Sequence, residues 1–403
     1  MKHLRNLLKP NNRIEDSGNL LRINALEKQA DLGAYYYVIE RIINRDKHKS
    51  IKIEIADGFR IFPNMVAPLS ANICFLKDSG ISVDIINHHK SLADTSFGHP
   101  LRPRHLHSAA RIENVVWEFR TPDDVEAIIK PTIDNLYKRV RAESGALLAL
   151  DYCLSELMDN VLRHSKADCG FICFATQEKG KRIAVCIVDQ GIGIKRSFEG
   201  TKYKTSSAAD AISLAVRKGV TSSKEGAGNG LWTTTEIITD NSGQITLSSS
   251  GAAIYYDRRN RKVETKAPVN VPNRKFPGTY LDFQIDFRKV VDFEKLWPGF
   301  RAPVDLKIEA LENSASEIVI AISELGGTST RTAGRQARTF AQNIINSSKN
   351  TVILDFTDIT IISSSYADEL VRKLLAINGL ERVKVFNTSP TIDVILGNVL
   401  NES

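Results

Sequence analysis

No stretch of this 403-residue chain approaches the ~18–20 consecutive apolar residues that a membrane-crossing helix needs. Its first ten residues, Met1-Lys-His-Leu-Arg-Asn-Leu-Leu-Lys-Pro10, meet charge and proline before the apolar core of a signal peptide could form. The expectation is a cytoplasmic protein with no membrane role. Cysteine is also scarce. There are five (Cys74, Cys153, Cys169, Cys173 and Cys186), an odd number inside apolar segments and without Cys-x-x-Cys spacing. That excludes a paired disulfide framework and a cysteine zinc site, and reads as buried free thiols in a reducing compartment. Charge of one sign is lacking too: 54 basic against 47 acidic side chains leaves a net +7, too little to name an anionic partner. What is present, 42% hydrophobic and 25% charged residues, is globular composition, and this length suits roughly two or three domains. The positive charge is uneven: residues 1–120 carry +5, residues 121–300 carry +4 and residues 301–403 carry −2.

Periodicity divides the chain into α/β pieces. Ile51 to Ile55 and Ile81 to Ile86 alternate as strands around a helix from Met65 to Lys77, a strand–helix–strand unit. Pro and Gly interrupt every period over 94–111, which marks a linker or crossing loop. Thr121-Pro-Asp-Asp then opens a helix with a capping residue, an early proline and two acids at its positive end. A second helix follows Ser144, with Leu147, Leu150, Leu154, Leu157, Met158 and Val161 on one buried face. Strands are expected at Phe171–Ala175, Arg182–Val188, Gln244–Ser248 and Tyr280–Ile285, and helices at Ala208–Val216 and Leu231–Thr239. The basic stretch Arg258-Arg-Asn-Arg-Lys262, extending to Lys266 and Arg274-Lys275, reads as a solvated hairpin tip. From about Val304 a further α/β unit begins. Its piece 349–389 repeats the element order of 49–89, which either an internal duplication or chance can produce.

The chemistry is concentrated in the middle segment. Glu156 and Asn160 stand four apart on one helix and point the same way, opposite its apolar face. Their oxygens suit a hard divalent cation and a water molecule, although an ordinary polar helix face has the same pattern. The buried strand Ile183–Val188 runs into Asp189-Gln-Gly191-Ile-Gly193. An Asp at a strand end can accept from an exocyclic amine, and the glycines let a flat base approach the backbone. Thr221-Ser-Ser223-Lys224-Glu-Gly226-Ala-Gly228-Asn-Gly230 then leads into a helix, an anion cradle that is neither a Walker loop nor a dinucleotide fingerprint.

In this order and spacing the Glu-x-x-x-Asn helix, the Asp-x-Gly-x-Gly turn, the glycine-spaced loop and Pro277-Gly-Thr279 before a strand resemble the GHKL ATPases. That superfamily holds gyrase B, the heat-shock chaperone ATPase, MutL and the histidine-kinase catalytic domain. The resemblance covers about residues 121–290 and implies an ATP-binding α/β sandwich (Bergerat fold) with a mixed sheet, a domain expected at 111–295; residues 1–110 are read as a separate α/β region, its element order open to a STAS-like reading. The resemblance also implies roles. Glu156 is the general base that orients water, and Asn160 holds Mg²⁺. Asp189 binds the adenine amine, with Thr279 sharing a water, and Gly191 and Gly193 pass the base. Gly226, Gly228 and Gly230 let a lid close over the triphosphate, with Ser223 and Lys224 as phosphate contacts. His164, one turn beyond Asn160, is either a ligand or a helix-end residue.

The tail at 304–403 resembles the STAS-like domains found beside such ATPases. Leu354-Asp-Phe-Thr-Asp358 and Ile362-Ser-Ser-Ser-Tyr-Ala-Asp-Glu-Leu370 carry the likeness, which implies a protein-binding surface. In STAS proteins that antagonise anti-sigma factors, a serine at the start of the matching helix accepts phosphate. The corresponding positions here are Ser364 and Ser365, but Ser-Ser-Ser-Tyr replaces the usual Asp-Ser-Ser-Gly, and a helix-capping cluster has the same composition. Three functions therefore remain open: an ATP-hydrolysing switch coupled to a protein partner and to a nucleotide-dependent homodimer, an anti-sigma-type serine kinase acting on a STAS domain, or an adaptor that binds nucleotide without turnover. Nucleic acid is not the favoured partner. A sensor histidine kinase is not favoured, because none of the eight histidines lies in the His-Glu-x-x-x-Pro setting such a kinase phosphorylates.

Overall fold

The computed structural model describes residues 13–27, 29–58, 60, 62–105, 112–143, 145–177, 179–220, 222, 230–257, 278–292, 317–325, 328, 331–347 and 351–401. The chain divides into two compact units, Met1–Val291 and Asp292–Ser403.

The first unit begins with the antiparallel hairpin β1 (Ile14–Ser17) and β2 (Leu20–Ile23), whose two-residue turn places Gly18 at φ +58°. Helix α1 (Gln29–Glu40) leads to β3 (Ser50–Ile55), and α2 (Pro63–Asp78) leads to β4 (Ser82–Asn87). Strands β2, β3 and β4 are parallel and sequential in order. Right-handed crossovers therefore put α1 and α2 on the same face of the sheet. The other face stays polar, with Arg22 paired to Glu54 at 3.0 Å. A short helix, α3 (Lys90–Ala93), follows.

Next come β5 (Trp117–Phe119), α4 (Pro122–Arg139), α5 (Ala146–His164), β6 (Gly170–Gln177) and β7 (Arg182–Asp189). They are followed by α6 (Gly193–Ser197), α7 (Ala208–Ala215), α8 (Gly230–Asp240), β8 (Gln244–Ser249), β9 (Ala252–Asp257) and β10 (Thr279–Asp286). The expected cap of α4 is present: Thr121 Oγ1 accepts from the Asp124 amide while the Asp124 carboxylate accepts from the Thr121 amide. The six strands lie in the order β5-β6-β7-β10-β8-β9. All pairings between them are antiparallel, with an isolated parallel bridge from Leu101 to Trp117 at the β5 edge.

Strands β6 and β7 are buried on both faces, so each reads as an unbroken apolar run rather than an alternation. Helices α5 and α8 cover one face, and α2 covers the other. Eleven of the sixteen residues of α2 are buried, because the helix lies between two sheets. Phe171, Cys173, Cys186 and Val188 share one apolar cluster with Met65, Leu69 and Ile73 of α2. The described residues of the 1–110 region, read from the sequence as a region of its own, thus share a core with the six-stranded sheet. Asn64, at the start of α2, donates from Nδ2 to the Asp282 carboxylate on β10 at 3.3 Å. Burial pushes the Asp282 carboxyl up to about 7, against a smaller downward pull from Asn64.

The second unit has three parallel strands in sequence order, β11 (Glu317–Ala321), β12 (Thr351–Asp355) and β13 (Val383–Phe386). Its helices are α9 (Arg331–Ser347), α10 (Ser364–Ala367) continued through a π-turn (Asp368–Arg372) into α11 (Lys373–Asn378), and α12 (Pro390–Asn401). The winding β11–α9–β12–α10/α11–β13 repeats that of β2–α1–β3–α2–β4. Gly334 allows α9 to approach α10 closely, since a Cβ there would lie 2.8 Å from the Tyr366 carbonyl oxygen. The carboxylate of Glu369, fully buried, meets Arg331 at 3.3 Å and Lys373 at 3.0 Å.

Candidate functional site

Helix α5 is amphipathic in the way its leucine spacing predicts, with Leu147, Leu150, Leu154, Leu157, Met158 and Val161 all buried. The opposite edge carries Tyr152, Glu156, Asn160 and His164 at four-residue intervals, about 6 Å per step along the axis. Glu156 and Asn160 are hydrogen-bonded to each other through their side chains. Burial pushes the Glu156 carboxyl up to about 7, and the nearby Asp159 adds to this. The Arg163 charge and the Asn160 hydrogen bond pull it back.

Gly230 opens α8 directly against this carboxylate: a Cβ on Gly230 would fall 1.6 Å from Glu156 Oε1. A side chain at this position would have to displace the Glu156 carboxylate. At the other end of α5, Ser222 Oγ lies 3.0 Å from His164 Nδ1. Burial, and secondarily the charge of Arg163, lower the His164 pKa, which favours the neutral ring.

Asp189 ends β7, and its Oδ1 accepts from the Gly191 amide at 2.8 Å. Thr279 is its register partner on β10 and hydrogen-bonds to it through both backbone and side chain. Burial raises the Asp189 pKa to about 6 despite those hydrogen bonds. The turn after Asp189 is packed without slack. A Cβ on Gly191 would lie 1.9 Å from the Ser165 carbonyl oxygen, and that oxygen accepts from the Ile192 amide at 2.7 Å. Gly193 sits at φ +72°, a conformation that L side chains rarely adopt. Gly278 passes as closely on the far side, where a Cβ would meet the Asp189 carbonyl oxygen at 2.0 Å.

The structure therefore brings Glu156, Asn160 and Gly230 together, and separately Asp189, Gly191 and Thr279. The Ser165 carbonyl, one residue past the end of α5, links the two groups. Ser223, Lys224, Gly226 and Gly228 lie outside the described residues, as does the basic stretch at 258–275. In the second unit, Ser363 caps α10 by accepting from the Tyr366 amide at 3.0 Å. Ser365 Oγ lies 3.0 Å from Ser363 Oγ, whereas Ser364 is exposed at the first position of the helix.

Two contributors are hard to read in the sequence. Ser249 Oγ accepts from the Ile194 amide at 2.9 Å and donates to the Gly278 carbonyl at 3.0 Å, so it fastens the glycine turn to β8 and to the approach of β10. Arg163 is exposed beside Glu156 and acts on its charge. A serine at a strand end and an arginine near a helix end carry no distinctive spacing.

The donor set fits a nucleotide. A buried carboxylate beside a backbone amide, flanked by glycine backbone, suits an adenine edge, and a lone carboxamide near a carboxylate suits a cation that keeps other oxygen ligands. Among the described residues, no group of three or more His, Cys, Asp or Glu side chains could enclose a metal ion by itself.

Comparison with known families gives two matches. Residues 145–272 match the family described as histidine kinase-, DNA gyrase B-, and HSP90-like ATPase. Residues 336–393 match a STAS-like domain of unknown function. The chain thus carries a GHKL ATPase domain followed by a STAS-like domain. No curated protein matches the chain. Among solved structures, it is similar to a mycobacterial sensor histidine kinase, MprB, at 17% identity and a TM-score of 0.24, covering 40% of this chain and 96% of that one. That likeness is too distant to bear on function. No helix among the described residues is long and apolar enough to cross a membrane.

Proposed function

We propose that the protein is a Mg²⁺-dependent ATP-binding and ATP-hydrolysing switch whose STAS-like domain passes the nucleotide state to a protein partner. The observation that carries the hydrolytic part is the Glu156 carboxylate, hydrogen-bonded to Asn160 and raised to about 7 by burial. A protein that only binds ATP has little use for a base tuned near neutrality on the face that meets the phosphates.

In this reading Asp189 accepts the adenine amine, and the Gly191 and Gly278 backbones flank the base. The phosphates run along α5 from its Ser165 end toward Glu156. Asn160 would hold Mg²⁺, which supplies charge neutralisation on the phosphates. The carboxylate of Glu156 takes a proton from water as that water meets the terminal phosphate. Arg163 offers a cation on the same side.

Replacing Glu156 with Ala tests the proposal. The variant should bind Mg-ATP as the parent does and release no phosphate, and equal turnover would overturn the role of Glu156. A second reading, serine phosphorylation, is favoured by the exposed Ser364 at the start of α10. Incubation with γ-labelled ATP separates the two, because label on a peptide containing Ser364 or Ser365 supports transfer and label found only as free phosphate supports the switch.

A further inference from the structure

The glycine turn after β7 is tied down at three successive points. The Gly191 amide donates to Asp189 Oδ1 at 2.8 Å, the Ile192 amide to the Ser165 carbonyl at 2.7 Å, and the Ile194 amide to Ser249 Oγ at 2.9 Å. The first acceptor is the carboxylate that meets the adenine amine in the reading above, and the second is main chain. The third is a side chain that the proposed reaction leaves without a part.

Ser249 ends β8 and is 3% exposed. Its register partner on β10 is Thr279, whose own partner on β7 is Asp189. Side chains in register share a face of the sheet, so Asp189, Thr279 and Ser249 form one row across three strands. At one end of the row Thr279 hydrogen-bonds to Asp189. At the other the Ser249 hydroxyl donates to the Gly278 carbonyl at 3.0 Å. A serine hydroxyl has a single proton, and commitment of that proton to Gly278 leaves a lone pair for the Ile194 amide. The turn that follows Asp189 and the backbone that enters β10 are therefore held to one oxygen atom.

We propose that Ser249 is a positioning residue that sets the preference for adenine: it fixes the Asp189 turn and the Gly278 backbone at the spacing of a flat base that carries an exocyclic amine. This role rests on the nucleotide site proposed above and adds to it the residue that decides base selectivity. Ser249 acts through the backbones of Ile194 and Gly278 and takes no part in the chemistry at the phosphates. Without the hydroxyl, a buried amide and a buried carbonyl lose their shared partner, and the two backbone runs are free to separate. A shift of about 1 Å there spoils a directional hydrogen bond from the amine to Asp189. Contacts made to the phosphates from α5 are left as they were.

The test is Mg²⁺-dependent binding of ATP and of purine riboside triphosphate, which is ATP without the exocyclic amine, to the full chain as parent, Ser249→Ala and Ser249→Cys. The parent should prefer ATP by roughly tenfold or more, the worth of a hydrogen bond to a charged acceptor. Ser249→Ala should weaken ATP binding by roughly five- to twentyfold and binding of the analogue by less than about threefold, so that the preference narrows. Ser249→Cys keeps the shape with only a weak donor and acceptor and should behave as the Ala variant does, and it decides the matter if the Ala variant fails to fold. Equal losses for both ligands would make Ser249 a general structural residue and overturn the proposal. An unchanged preference in Ser249→Ala, or a Cys variant indistinguishable from the parent, would overturn it as well. A parent chain that binds the two ligands equally would instead remove Asp189 from the base pocket, and one that binds neither would overturn the nucleotide reading itself.

Discussion

The α-carbon of Gly230 rests on the carboxylate of Glu156, so closely that a methyl group there would lie 1.6 Å from Oε1. Helix α8 therefore starts where the carboxylate ends, and the carboxylate position is set by the absence of a side chain at the start of a helix five elements further along the chain. Gly230→Ala should push Glu156 off this position and lower phosphate release by roughly tenfold or more. In a Glu156→Ala background the same substitution should cost nothing further in turnover. Steady-state phosphate release from the four proteins checks this, and wild-type turnover in Gly230→Ala would refute the coupling.

The raised Glu156 carboxyl gives a pH signature. A base must be ionised, so kcat/KM for ATP should climb as pH rises from about 6 to 8, with its midpoint near the free-enzyme value of about 7. A carboxylate at an ordinary value would give a flat profile over that range. A plateau reached already at pH 5.5 would contradict the burial described for Glu156.

In the proposed site, Asp189 would govern binding in a lower window. Its value of about 6 means that acid converts the acceptor carboxylate to a neutral acid, so Mg-ATP affinity should fall as pH drops below 6. Asp189→Asn should reduce affinity at least tenfold at pH 7.5, because an amide NH₂ replaces an acceptor oxygen toward the adenine amine. Isothermal titration at both pH values measures this, and undiminished binding by the Asn variant would remove Asp189 from the base pocket.

Asp282 affects stability. A carboxyl raised to about 7 in the folded chain binds more protons there than in the unfolded chain between roughly pH 4 and 7, so its contribution to stability falls as pH rises through that window. Asp282→Asn should leave urea stability at pH 4 within about 0.5 kcal/mol of the parent and raise it at pH 8 by on the order of 2 kcal/mol. Equal stability of the two proteins at pH 8 would place Asp282 in a more solvated setting.

Removing residues 1–111 should not liberate a well-behaved ATPase domain. It would expose Phe171, Cys173, Cys186, Val188 and Tyr280, which pack against α2 and its neighbours. The truncated chain is expected to aggregate or bind a hydrophobic dye, as judged by size-exclusion chromatography. A monomer with a cooperative melt would show that the six-stranded sheet needs no cover.

Much of the site is legible in sequence because local geometry carries it. Glu156 and Asn160 share a helix edge by spacing alone, and Asp189 is marked by a buried strand that ends in Gly-x-Gly. Thr279 is visible only through family likeness, since its pairing with Asp189 brings together strands about 90 residues apart. The Ser222–His164 contact and the Gly230–Glu156 fit are tertiary and leave no local pattern. The hairpin of β1 and β2 has a Gly18-Asn19 turn of the right length, but each strand has only four residues, too few for alternation to stand out. Helix α2 shows the clearest gap: Met65-Val-Ala-Pro-Leu-Ser-Ala-Asn-Ile73 is apolar or small on every side apart from Asn72, which points to burial all round without naming the second layer.

That second layer has a consequence for biosynthesis. Helix α2 leaves the ribosome with the small parallel sheet available for one face, while the strands that cover its other face follow about 100 residues later. At roughly 5–20 residues per second this face waits on the order of 5–20 seconds. During that interval the nascent chain displays an apolar helix with half its neighbours unmade. Slowing translation between codons 80 and 170 should lengthen the exposure, whereas the later STAS-like unit, whose strands and helices are contiguous in sequence, has no comparable wait.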